Sequence, residues 1–86
     1  MRRDTDYFGE QELTLVYIAR RLKEALRIEE LFNGGGLDYA IETEPYMAGF
    51  LFRTQRMGAF FYVARESEQS ARFLLLHSGF TPHDHH

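Results

Sequence analysis

Residues 12–42 run without a break from an apolar β-type stretch, through a helix-forming stretch that ends in Asn33-Gly34-Gly35-Gly36, into a second β-type stretch from Leu37 to Glu42. Strand, helix and strand in that order make a β-α-β unit. Its crossover is right-handed, so the two strands run parallel. This unit commits the chain to a sheet with a helix on its face. It carries no recognisable catalytic signature.

In the first strand, from Leu13 to Ala19, Leu13, Leu15 and Tyr17 are expected on one face and Thr14, Val16 and Ile18 on the other. Both faces are largely apolar, as in a central strand covered on two sides. The helix is predicted over 20–33. Ala25, Ile28 and Phe32 form its apolar stripe, flanked by Leu22, Leu26 and Leu31, with Lys23, Glu24, Arg27 and Glu30 on the opposite face. Glu29 projects near the stripe, where a carboxylate needs a partner. Glycine ends the helix because it enters the left-handed cap conformation without a Cβ clash.

Pro45 is expected to end the second strand, since proline cannot donate to a ladder. Two further runs, 49–52 and 59–64, read as strands, joined by a polar hairpin loop over 53–58. The alternative is that the 46–52 segment is a loop packing its aromatics on the core. Ser67 is placed as the N-cap of a last helix ending at Gly79, with Phe80 folding back on the last turn. The order is β-α-β-β-β-α, or β-α-β-β-α if the Phe50 run is not a strand. The expected fold is an α+β two-layer sandwich of split ferredoxin-like form. Both helices pack on one face of a mixed, three- to four-stranded sheet.

Eighty-six residues make a single domain, assigned to 12–80. Residues 1–11 and 81–86 are expected to be flexible. The chain has no cysteine, so neither a disulfide nor a thiolate metal site can supplement the core. A net charge of −3 argues against a general nucleic-acid binder. No apolar stretch approaches the ~20 residues of a membrane helix, and the N-terminus lacks a signal peptide's apolar region. A cytoplasmic protein is the expectation.

The chain resembles a small bacterial domain family labelled as signal-transducing and of unknown function. The resemblance rests on Leu15 to Ala19, on Glu24-Ala25, Glu29 and Leu31, and on Gly36 to Tyr39. It continues through Phe61-Tyr62-Val63, Glu66 and Ala71-Arg72. It implies the fold and a ligand-sensing or protein-docking role, and supplies no catalytic residues. The aromatic segment from Tyr46 to Phe52 departs from it.

Gly34-Gly35-Gly36 follows a helix rather than preceding one, so it reads as a cap and not a phosphate cradle. Arg56 to Val63 faintly resembles the aromatic octamer of RNA-recognition sheets, with its glycine displaced. His83, Asp84, His85 and His86 lack preorganised geometry for a metal. Glu42 and Glu44 share a face if the strand continues, and are expected to be solvated rather than to work as a hydrolytic pair. No catalytic residue, cofactor or metal is assigned.

Two functional expectations follow. In the last helix Ala71, Leu74, Leu75 and Ser78 form one face, while Phe73, Leu76 and His77 leave a second apolar face. That excess suggests a non-enzymatic interaction domain, self-associating through Phe73, Leu76 and His77 with Phe50 and Phe52. The alternative is a sensor in which Arg53, Arg56 and Arg65, beside Tyr46 and Tyr62, hold an anionic or aromatic metabolite.

Overall fold

The computed structural model describes residues 1–48 and 54–83. The chain forms β1 (Leu13–Ala19), α1 (Leu22–Gly34), β2 (Ala40–Ala48), β3 (Thr54–Ala64) and α2 (Glu68–His77). Short 3-10 turns at Thr5–Phe8 and Arg65–Ser67 precede β1 and α2. The order is therefore β-α-β-β-α. The sheet runs β1-β3-β2, with β3 antiparallel to both neighbours. β1 and β2 share a direction, as the β-α-β unit requires, but β3 lies between them. Hydrogen-bonded neighbours are accordingly all antiparallel rather than mixed.

Both helices lie on one face. Ala25, Ile28 and Phe32 of α1 and Ala71 and Leu75 of α2 join Val16, Ala19, Tyr39, Phe61 and Val63 in one buried cluster. Phe32, Tyr39 and Phe61 form its aromatic centre, with ring centroids 5.4 to 6.1 Å apart. Phe32 meets the other two edge to face while Tyr39 and Phe61 are stacked, and both arrangements add stability beyond their buried area.

Both helices end in Schellman motifs. At α1 the Leu37 N–H donates to Phe32 O and the Gly36 N–H to Asn33 O, with Gly36 at φ 72°. At α2 the Phe80 N–H donates to Leu75 O and the Gly79 N–H to Leu76 O, with Gly79 at φ 85°. Glycine carries the positive φ that both motifs need. Ser67 stands at the N-cap of α2 but makes no side-chain cap bond, with ψ near 0°. The 3-10 turn runs straight into the helix, so Ser67 lacks the extended backbone that aims a capping hydroxyl.

Three sequence expectations are corrected. First, the register of β1 shifts between Leu15 and Tyr17: Leu15 pairs with Tyr62 and Tyr17 with Phe61. This bulge turns both Val16 and Tyr17 toward the helices and leaves Leu13, Leu15 and Ile18 on the other face. Second, β2 continues through Pro45, which pairs with Met57. The Tyr39 N–H donates to Met1 O and Tyr39 O accepts from the Arg3 N–H, so odd-numbered residues of β2 turn their backbone groups away from β3. The missing Pro45 N–H is on that outer side and costs no ladder bond. Third, 54–58 is strand, not hairpin loop, paired residue by residue with 44–48. The expected strand over 49–52 lies outside the described residues.

The terminal segments are also placed. Arg2 forms a parallel bridge with Tyr39, and Phe8 is buried on Ala40 and Ala64 beside Leu13. Pro82 is buried, the His83 N–H donates to Val16 O at 2.7 Å, and Arg72 donates to His83 O at 2.8 Å.

Candidate functional site

Four regions compete, and burial and charge distinguish them. The outer face of α2 carries Phe73 at 59% and Leu76 at 62% exposure, with the exposed His77 ring 4.0 Å from that of Phe73. The expected apolar second face is therefore present and uncovered among the described residues. Phe50 and Phe52, assigned to the same interface, lie outside them.

The sheet face away from the helices presents half-buried Leu15, Ile18, Phe60 and Tyr62. Phe8 packs on one end of it. Burial raises the Tyr62 hydroxyl above its ordinary value, and the charges of Glu44 and Glu42 add to the shift. The strand register does put those two carboxylates on one face, but both are exposed, so the shielding an acid–base pair needs is missing. Phe60 and Tyr62 hold the outward positions of an RNA-stacking platform. However, its β2 edge is acidic, which opposes a phosphate backbone.

The proposed ligand residues are scattered. The register makes Tyr46 and Arg56 cross-strand partners. Tyr62 is six residues further along β3, roughly 20 Å away. Arg65 follows the strand, on the order of 30 Å from Arg56, and ion-pairs with Glu12 at 3.1 Å. Arg53 lies outside the described residues, as do Asp84, His85 and His86. No group of three metal-ligating side chains occurs among the described residues.

Glu29 has the partner its position demanded. The Tyr39 hydroxyl lies 3.1 Å from Glu29 Oε1 and 3.2 Å from Asn33 Oδ1. A hydroxyl has one proton, and the carboxylate is the stronger acceptor. Burial first, then the Glu29 charge and hydrogen bond, push the Tyr39 hydroxyl up to about 12. This is a support for the core, reaching from α1 to the start of β2.

The fourth region is a cleft where β1 ends, α1 begins and the chain leaves α2. It opens to solvent, has a volume of ≈ 640 Å³ and is lined by Tyr17, Arg20, Arg21, Glu24, Phe80 and His83, among others. A smaller hollow of ≈ 220 Å³, lined by Arg21, Glu24 and Phe80, also reaches Lys23 and Arg27. From the sequence, Lys23 and Arg27 read as the solvated face of α1. The available signal was the order of charge along that helix, basic at its start and acidic at Glu29-Glu30.

Comparison with known proteins finds no family model, curated protein or solved structure that matches this chain. No helix among the described residues is long and apolar enough to cross a membrane.

Proposed function

We propose that this chain is a non-catalytic regulatory or protein-interaction domain that pairs with a second copy through the outer face of α2. The observation that carries this reading is the exposed Phe73–Leu76–His77 stripe on a helix whose Ala71 and Leu75 are fully buried. Exposed aromatic and aliphatic anchors at spacings of three and four residues make a ridge that another helix can meet. Antiparallel pairing of two α2 helices about Phe73 sets Gln69 opposite the second copy's His77, polar against polar. The resemblance to docking and sensing domains accords with this role.

The helix is ~15 Å long, so the buried area falls short of the ~1,000 Å² of a stable interface. The pairing is therefore weak and concentration-dependent, in the high micromolar range. Sedimentation velocity of the wild type beside Leu76→Glu tests it, with circular dichroism confirming that both fold. The wild type is expected to shift toward dimer at several hundred micromolar while the variant stays monomeric. A wild-type monomer throughout that range overturns the proposal.

A further inference from the structure

Four of the ten lysines and arginines of this acidic chain, Arg20, Arg21, Lys23 and Arg27, fall within eight residues at the start of α1. They border the two hollows on either side of Phe80, which share Glu24 as their lining carboxylate. Arg21, Lys23 and Arg27 have no ion-pair partner among the described residues. Lys23 and Arg27 are also one helical turn apart, where like charges repel.

This placement opposes the stability of the protein that carries it. Cations belong at the C-terminal end of a helix dipole and carboxylates at its N-terminal end. In α1 the order is reversed: the last turn has no basic residue, while Glu29 and Glu30 lie in its second half. Glu24 is the acidic residue of the first turn, and its Oε1 accepts from the Arg20 N–H at 3.4 Å. An unfavourable charge cluster beside a cavity of ligand size is the pattern of a site kept for binding.

The cavity also has an apolar wall. Tyr17 and Phe80 meet edge to face there at 5.7 Å, and both rings are half-buried. Burial, followed by the charge of Glu24, raises the Tyr17 hydroxyl, so this wall stays neutral. The cleft is open to solvent, and its ≈ 640 Å³ gives room for a molecule of nucleotide size, more than inorganic phosphate needs.

We propose that this cleft binds a phosphate ester of nucleotide size, its phosphate oxygens on Arg20 and Arg21 and its organic part against Tyr17 and Phe80. Arginine suits that role because its planar fork pairs two phosphate oxygens at once. The site is independent of the α2 stripe, so either assignment can fail alone.

The test is thermal melting of the full chain with ATP, sodium pyrophosphate, adenosine or sodium sulfate at matched ionic strength. ATP at 1 mM is expected to raise Tm by ~5 °C, pyrophosphate by less, and sulfate and adenosine by almost nothing. Arg21→Glu is expected to abolish the ATP shift while raising the ligand-free Tm by ~2–4 °C, because it puts a carboxylate at the positive end of α1. Arg65→Glu, remote from the cleft, should keep the shift. An equal response to ATP and sulfate, or an ATP shift surviving Arg21→Glu, overturns the site. Equal shifts from ATP and pyrophosphate overturn the role of the aromatic wall. Sedimentation of Arg21→Glu should match the wild type, which separates this result from the α2 interface.

Discussion

Replacing Tyr39 by phenylalanine removes one oxygen from a buried residue and nothing else. The ring keeps its contacts with Phe32 and Phe61, so the packing contribution is preserved. What is lost is the hydrogen bond to the half-buried Glu29 carboxylate at 3.1 Å. Hydrogen bonds to charged groups contribute about 1.5–3 kcal/mol, and partial solvation of Glu29 favours the lower end. Tyr39→Phe should thus cost about 1.5 kcal/mol at pH 7, a fall in Tm of roughly 6–12 °C for a domain of this size. The same bond gives the loss a pH dependence with a definite sign. The Tyr39 hydroxyl is held at about 12 in the folded chain against an ordinary value of 10.0. Its contribution is therefore complete below pH 10 and disappears as pH rises from 10 to 12. Urea denaturation of wild type and Tyr39→Phe from pH 7 to 12 should show two stabilities that converge at the alkaline end. With Glu29→Ala included, the double variant should lose about 1 kcal/mol less than the sum of the single changes. A cost below about 0.5 kcal/mol at pH 7, or a gap that persists to pH 12, would refute the account of Glu29.

Gly35→Ala places a Cβ 2.6 Å from Leu74 Cδ1, so the Leu74 side chain between α1 and α2 must shift; a loss of about 1 kcal/mol is expected in chemical denaturation, and less than additive loss with Leu74→Ala. Additive losses would mean that the strain lies elsewhere. The Arg3 guanidinium holds the Asp38 carboxyl below its ordinary value, helped by Tyr7 and the terminal amine. A depressed carboxyl contributes above its ordinary value near 3.8 and ceases to contribute as pH falls through the folded value. Hydrogen exchange of the Arg3 amide, corrected for intrinsic rates, should stay protected down to about pH 4 and lose protection below it. In Asp38→Asn that protection should be weaker at every pH, and equal protection in both chains would rule the contact out.

What was legible in the sequence was whatever depends on local chemistry. The α1 stripe of Ala25, Ile28 and Phe32 and both glycine-based helix ends can be read because a period and a cap are properties of neighbouring residues. The β1 bulge was not legible. With apolar residues on both faces, the period-two pattern gives no penalty when register shifts at Val16. Pro45 misled for a related reason: proline stops a central strand but not the outer side of an edge strand, and strand order is not a local property. Among candidate site residues, the α2 stripe could be read from helical spacing, whereas Arg56 and Arg65, close in sequence, are held apart by the extended strand between them. The cleft joins residues 17–24 to 79–83, a pairing that only the packing of the segment after α2 against the β1–α1 junction reveals.

The outer rims of the sheet bear on whether copies of this chain could join edge to edge. Open strand edges invite stacking into fibres, because each added chain presents the same edge to the next. On β2 the N-terminal segment occupies Tyr39 and the donor at Pro45 is missing, so only Ile41 and Thr43 remain between them as outward backbone pairs. On β1 the backbone of His83 occupies Val16. A gap of two residues is too short to anchor an incoming strand. Sheet extension through these stretches of the rims is thus hindered, whereas the helix-to-helix pairing proposed above would stop at two copies.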